Sequence, residues 1–142
     1  MKRILLFIMT FFSIFGYAQF PEGFEGATFP PAGWVVEDNG IGTAQSWGIT
    51  TATGFGWVHQ GARSAMVNRD NGATSTGLAQ DWLITPQVTV PADGQVRFFA
   101  RSASNGEQGS IYKVLLSTTT QNIADFKNTL ATYTVLDIIN AT

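Results

Sequence analysis

The sequence contains no cysteine, a single histidine and few charged residues. The absence of cysteine excludes disulfide scaffolds, thiol nucleophiles and cysteine-ligated zinc sites. Zinc hydrolases use several imidazoles, which this sequence lacks. A Ser-His-Asp triad would have to use His59, the one imidazole of the chain. Charged residues make up 13% of the chain and the formal net charge is −2. No excess of basic residues therefore indicates a nucleic-acid-binding surface.

What the sequence does contain favours a folded domain. Of its 142 residues, 44% are hydrophobic and 13% aromatic. So many aromatic residues together with so little charge exclude intrinsic disorder and a coiled coil. The length is sufficient for one domain.

The first eighteen residues have the pattern of a secretory signal peptide. Lys2 and Arg3 precede a twelve-residue apolar run over residues 4–15, and the small residues Gly16 and Ala18 follow it. This order of segments predicts export and cleavage after Ala18. The run is shorter than the roughly 20 apolar residues that a membrane span requires. The alternative is a buried N-terminal helix.

The predicted mature chain, residues 19–142, is mildly acidic. Without Lys2 and Arg3 it has six basic and ten acidic residues, which gives a charge of −4. We expect a secreted or cell-surface location. Because small exported domains commonly rely on disulfides and this one has none, its stability must come from its core, to which a bound metal can add.

Short runs of β-forming residues, separated by Gly, Asn, Asp and Pro, predict an all-β sandwich of antiparallel strands. Helical spacing occurs only over residues 122–130, where Ile123, Phe126 and Leu130 recur at intervals of three and four. The predicted strands are 34–37, 64–68, 81–85, 87–90, 95–101, 111–117 and 132–136.

Alternation along residues 95–101 and 111–117 indicates which side chains face inward. In the first run, Val96, Phe98 and Ala100 share one face, and Arg97, Phe99 and Arg101 share the other. We expect the core to include Trp34, Trp82, Phe98, Val114 and Leu116. Residues 137–142 end without a charged or Pro/Gly-rich tail, which predicts a chain that stops inside a domain.

Several motifs in a fixed order resemble the cleaved-adhesin domain family, also described as choice-of-anchor J domains. The two most specific are FPPAGW at residues 29–34 and DWLITP at residues 81–86. The other matching segments are GFEG at 23–26, SWG at 46–48, GARSA at 61–65, VRFFAR at 96–101 and YKVLLSTT at 112–119. The family includes the adhesin modules of gingipain proteases and occurs in secreted proteins of Bacteroidetes-type bacteria.

The resemblance implies a jelly-roll β-sandwich with bound calcium that acts in adhesion and is not an enzyme. Members of the family continue through further strands and an acidic segment near their end. The resemblance therefore implies that the domain at 19–142 is truncated at its C-terminus, with further strands or domains beyond it.

Calcium requires six to eight hard oxygen ligands. By position in the family pattern, Glu25, Asp38 and Asn39 are the candidate ligands, and Asn105 with Glu107 forms a second, weaker pair. Ordinary turn residues are the alternative interpretation of Asp38 and Asn39. A place on the surface is the alternative for Glu25.

The glycine-rich stretch at residues 54–61 matches no family motif and predicts a ligand-binding loop. Trp57, His59, Gln60 and Arg63 would offer an aromatic face and polar groups to a sugar or a peptide. Alternatively, Trp57 folds back as a plug. The other three tryptophans, Trp34, Trp47 and Trp82, are expected to pack in the core.

These observations predict a non-catalytic, adhesin-like binding module for an extracellular carbohydrate or protein, with neither nucleic acid nor a transmembrane segment. One alternative is an accessory domain of a larger secreted hydrolase or peptidase. Another is a spacer that holds a second domain away from the cell surface.

Overall fold

The computed structural model describes residues 22–42, 45–53, 58–70, 77–102, 106 and 108–139. Nearly all of the regular structure in these residues is β. The strands are β1 (Val35–Asp38), β2 (Gly48–Thr51), β3 (Arg63–Met66), β4 (Asp81–Ile84), β5 (Ile111–Leu116) and β6 (Asn128–Thr134). A 3₁₀ helix spans Ile123–Asp125 and a short α-helix, α1, spans Val135–Ile139.

The strands form three antiparallel pairs, β1 with β4, β2 with β3, and β5 with β6. In the first pair Val35 lies opposite Ile84 and Asp38 opposite Asp81. The β5–β6 pair contains an irregularity between Val114 and Leu115. The all-β antiparallel class predicted from the sequence is confirmed. The jelly-roll order stays a prediction, because no described ladder joins one strand pair to another.

The Pro-Pro-x-Gly-Trp motif forms the turn that starts β1. The backbone N–H of Trp34 donates to the carbonyl oxygen of Pro31 at 3.0 Å, and Gly33 lies in the turn at φ +81°. A positive φ at the third position of a tight turn favours glycine. The side-chain amide of Gln121 donates to the carbonyl oxygens of Gly33 and Thr85, each at 2.9 Å. The turn is thereby joined to the end of β4.

The helix predicted over residues 122–130 is wrong beyond its first turn. Only Ile123–Asp125 is helical, and the chain from Asn128 pairs with β5. Threonines at 129, 132 and 134 favour an extended chain, and pairing in a sheet overrides a weak helical pattern. Phe126 packs instead against Trp82, with ring centroids 5.8 Å apart.

A helix begins where the sequence predicted the end of a strand. The Thr134 backbone N–H and hydroxyl donate to Oδ2 of Asp137 at 2.7 and 2.8 Å, and the Asp137 N–H donates back to the Thr134 hydroxyl at 3.3 Å. This reciprocal pattern is a capping box, and it starts α1 at Val135. The two hydrogen bonds that Thr134 donates lower the pKa of Asp137 below its ordinary value.

The strands predicted at 87–90 and 95–101 are also wrong, because neither segment joins a described ladder. The alternation within the second segment nevertheless has a structural counterpart. Phe98 lies near Tyr112 of β5, with ring centroids 6.1 Å apart, whereas Phe99 stacks on His59. Neighbouring side chains therefore contact different parts of the domain.

The core of the described residues is small. Ile84 and Val135 are its buried apolar side chains, with 4% and 6% of their surface exposed. Trp34, Trp47, Trp82 and Val114 are half-buried. Two residues predicted to be buried are not, since Phe98 is 49% and Leu116 42% exposed. The physical reason for Phe98 is that none of the described strands pairs with its segment, and Leu116 is the last residue of β5.

The part of the chain that the structure describes contains no helix long and apolar enough to cross a membrane. The predicted signal peptide, residues 1–18, lies outside the described residues.

Candidate ligand-binding site

The described part of the predicted ligand-binding loop, residues 58–61, lies at the end of the connection between β2 and β3. The Ala52 N–H donates to the Ala62 carbonyl oxygen at 3.0 Å, which closes the base of this connection. Arg63 is the first residue of β3. His59 and Gln60 precede it and are exposed, and Val58 is half-buried.

Glu25 fixes the position of this loop from a distant part of the sequence. Its Oε1 accepts hydrogen bonds from the backbone N–H of Ala62 at 2.9 Å and of Arg63 at 3.1 Å. In return, the Arg63 guanidinium donates through Nη1 to the Gly26 carbonyl oxygen at 2.6 Å. One of these three hydrogen bonds joins two predicted site residues directly, Glu25 as a metal ligand and Arg63 as a ligand-binding residue. The other two involve their neighbours Ala62 and Gly26.

The chain before Glu25 is arranged by local hydrogen bonding and aromatic packing. Phe24 has a φ of +58°, which is unusual for a residue other than glycine. Its N–H donates to the Glu22 carboxylate. Its ring packs edge-on against Trp34, with ring centroids 5.3 Å apart, and lies 6.1 Å from Phe29. These contacts place Glu25 beside the loop.

An open depression of about 410 Å³ lies beside the Glu25 carboxylate. It is lined by Glu22, Gly23, Glu25, Gln60 and Gly61. Two carboxylates and the Gln60 amide give this surface hydrogen-bonding capacity, and the glycines leave the backbone accessible. The hydrogen bonds that described residues donate to Glu25 all reach Oε1.

His59 joins the loop to a different segment of the chain. Its imidazole stacks on Phe99, with ring centroids 3.5 Å apart and planes at 16°. Phe99 is 77% exposed. The sequence interpretation placed Phe99 on the same face as two arginines without assigning it to the site. An aromatic residue on an otherwise charged strand face was the signal that could have found it.

Asp38 and Asn39 lie at the end of β1, in a second group of polar residues. Oδ1 of Asp38 accepts from the Gly40 N–H at 2.7 Å, as in an ordinary Asx turn. Oδ1 of Asn39 accepts from the N–H groups of Ile41 and Gln80, at 3.2 and 3.1 Å. Its Nδ2 donates to the Leu78 carbonyl oxygen at 2.8 Å. Asn39 thus joins the end of β1 to the segment that leads into β4.

Asp81 lies directly across the ladder from Asp38. Burial raises the pKa of Asp81, and the negative charges of Asp38 and Asp70 raise it further. Its Oδ1 is buried and accepts no hydrogen bond from any described residue. The Asp81 backbone carbonyl, by contrast, accepts from the Trp47 indole N–H at 3.1 Å.

Several sequence predictions are not brought together. Within the described ranges, no group of three or more His, Asp or Glu side chains is arranged to bind one metal ion. Glu25 accepts hydrogen bonds from Ala62 and Arg63. Asp38 and Asn39 instead contact the Gly40–Ile41 and Leu78–Gln80 segments. Trp57, Asn105 and Glu107 lie outside the described residues.

The described residues therefore form an all-β domain of antiparallel strand pairs. Its candidate site is a hydrogen-bonded polar loop beside an open depression. A model of one family, the Cleaved Adhesin Domain, matches residues 18–141. The chain belongs to this family. No curated protein matches it, and no solved structure does.

Proposed function

We propose that this chain is a non-catalytic, adhesin-like module of an exported protein, and that it binds an extracellular carbohydrate or protein through the 59–63 loop. The observation that carries the proposal is the pair of hydrogen bonds from Ala62 and Arg63 to Glu25. They hold the backbone at Ala62 and Arg63, shortly after two exposed polar side chains, His59 and Gln60. Membership of the Cleaved Adhesin Domain family supports the same function.

An ordered loop is better suited to binding than a mobile one. Binding to a mobile loop must offset the conformational entropy lost when the loop becomes fixed, and a loop that is already fixed avoids much of that loss. Here the Glu25 carboxylate and the Arg63–Gly26 hydrogen bond hold the C-terminal end of the loop, at Ala62 and Arg63, before any ligand arrives. Loops that a β framework holds in this way commonly carry the binding residues of a domain.

The test is adhesion of the full chain, displayed on beads, to surfaces coated with mucin, fibrinogen or gelatin. We expect binding to at least one surface. Glu25→Ala should reduce it, because the loop loses two hydrogen bonds. Glu25→Gln should retain it, since the amide oxygen can still accept both. Glu37→Ala removes an exposed carboxylate elsewhere and serves as the matched control.

Two results would overturn the proposal. One is adhesion that is the same with Glu25→Ala as with the unchanged chain, which would place the binding surface elsewhere. The other is no adhesion to any of the coated surfaces, which would favour the spacer or accessory role.

Calcium binding by Glu25, Asp38 and Asn39 stays a prediction. The hydrogen bonds that these side chains accept indicate which of them are the stronger candidate ligands. Both hydrogen bonds accepted by Asn39 use Oδ1, which leaves that oxygen little capacity for a cation. The hydrogen bonds that described residues donate to Glu25 and Asp38 reach one carboxylate oxygen of each. We therefore propose the two carboxylates as the stronger ligands, at separate positions.

A metal that binds only the folded state raises the melting temperature as its concentration increases. We expect calcium to raise the melting temperature of the full chain relative to chelator, and Glu25→Gln to diminish that increase. Glu37→Gln is the control for lost charge. Identical melting curves in calcium and in chelator would discard the metal.

Export is proposed from residues 1–18. N-terminal sequencing of extracellular material should begin at Gln19 or within a few residues of it. Extracellular protein that retains Met1 would contradict the signal peptide.

A further inference from the structure

Phe99 is an exposed aromatic residue whose ring stacks on another ring. It is 77% exposed, yet its ring is stacked on the His59 imidazole. Its neighbour Phe98 lies near Tyr112, on β5. Phe98 is therefore directed towards β5, whereas Phe99 is exposed beside His59.

Arg97 lies two residues before Phe99 in the same segment. Its Nε donates to Oε1 of Gln95 at 3.0 Å, so the side chains two residues apart point the same way. In an extended chain, side chains at i and i+2 share a face. The Gln95–Arg97 hydrogen bond fits this spacing, and Phe99, two residues further on, stacks on the His59 ring.

We propose that Phe99, His59 and Arg97 form a subsite for a carboxylated saccharide, which gives the proposed binding function its ligand class and rests on that function. The C–H face of a pyranose ring packs against the exposed aromatic ring. The carboxylate accepts hydrogen bonds from the Arg97 guanidinium. Hydrogen bonds between a guanidinium and a carboxylate are stronger than those between neutral groups.

Charge complementarity selects an acidic sugar over a neutral one. The predicted mature chain has a net charge of −4, which repels an anionic ligand overall, so its binding depends on a local positive charge. The depression beside Gln60 is lined by Glu22 and Glu25 and repels it as well. Arg97 supplies a positive charge two residues from the aromatic ring. A carboxylated sugar is therefore directed to this edge of the loop.

The experiment measures binding of sialyllactose, a hyaluronan hexasaccharide and lactose to the full chain by NMR titration. The first two carry a sialic acid and a uronic acid, and lactose carries no charge. We expect a carboxylated sugar to bind about tenfold more tightly than lactose. Comparing the two acidic sugars identifies which acid the subsite prefers. The His59 and Phe99 ring signals should shift during the titration.

Two variants and two controls localise the subsite. Phe99→Ala and Arg97→Gln should each weaken binding of the acidic sugar by about tenfold. Val96→Ala removes an exposed apolar side chain from the other face of the segment, and Lys127→Gln removes a distant exposed charge. Both controls should bind as the unchanged chain does. Raising the ionic strength should weaken the acidic sugars and not lactose, because salt screens exposed charges.

Equal affinity for lactose and the acidic sugars, or full binding by Phe99→Ala and Arg97→Gln, would overturn the subsite. The proposed function is tested separately. If mucin, fibrinogen or gelatin binds in a Glu25-dependent way and none of the three sugars binds, the subsite is wrong and the adhesin-like function stands. If no surface and no sugar binds, both are wrong.

Discussion

Gly61 lies against the carboxylate of Glu25, and a Cβ atom at position 61 would overlap Oε1. Gly61 also has a φ of +82°, which L-residues with side chains rarely adopt. Two requirements therefore meet at one residue of the loop, a backbone conformation and an empty space. Both allow the Glu25 oxygen to reach the N–H groups of Ala62 and Arg63.

Gly61→Ala should separate these two requirements when it is compared with Gly40→Ala. Gly40 also has a positive φ, +69°, but a Cβ there would meet nothing within 4 Å. Each substitution should lose about 1–2 kcal/mol of unfolding free energy to backbone strain. Gly61→Ala should lose about 1 kcal/mol more, because Glu25 is displaced from two hydrogen bonds. Chemical denaturation measures both, and equal losses would show that Glu25 does not need the space.

Asp81→Asn should stabilise the protein near neutral pH. Burial and the charges of Asp38 and Asp70 raise the folded-state pKa of Asp81 above 3.8, so the folded state binds this proton more tightly than the unfolded state. The unfolding free energy therefore falls as pH rises through 3.8 and through the raised pKa. Asparagine carries no such charge.

The measurement is the unfolding free energy of Asp81→Asn and the unchanged chain across this pH range, in chelator. The gain should be complete above the raised pKa and should disappear below pH 3.8. Glu37→Gln, which removes one negative charge from an exposed position on β1, should show no comparable gain. A gain that does not depend on pH would contradict the electrostatic explanation.

Ile84→Ala should destabilise the fold more than Phe98→Ala, although phenylalanine is the larger residue. Ile84 is 4% exposed, and truncation of a buried isoleucine costs about 2–5 kcal/mol. Phe98 is 49% exposed, so its truncation removes less buried apolar surface and should cost under about 2 kcal/mol. Denaturant titration of both variants checks the order. The reverse order would mean that Phe98 belongs to the core, as its alternation in the sequence predicts.

The strands that the sequence predicted correctly are those whose partners lie in the described chain. Residues 81–85 and 111–117 combine β-forming residues with clear boundaries, and both pair as strands. Residues 95–101 have an equally clear alternation and form no ladder, since a strand requires a partner as well as a pattern. The helix at 122–130 failed for the opposite reason. Pairing with β5 outweighs three apolar residues at helical spacing.

The candidate site was predictable in its residue types and not in its contacts. The glycine-rich sequence indicated a loop at His59 and Gln60, and family position indicated Glu25. Nothing in local sequence indicates that Glu25 accepts hydrogen bonds from residues 37 and 38 positions away. The stack of His59 on Phe99 likewise depends on how distant segments meet. Such contacts follow from tertiary structure and leave no spacing pattern.

Hydrogen–deuterium exchange on the full chain, with and without the coated-surface ligand that it binds, tests the role of the 59–63 loop most directly. Binding through this loop should slow exchange at residues 58–63, and leave β5 and β6, Ile111–Leu116 and Asn128–Thr134, unchanged. Glu25→Ala should exchange faster at Ala62 and Arg63 without ligand, because their N–H groups lose their acceptor. Protection confined to β5 and β6, with no change at 58–63, would contradict the loop as the binding surface.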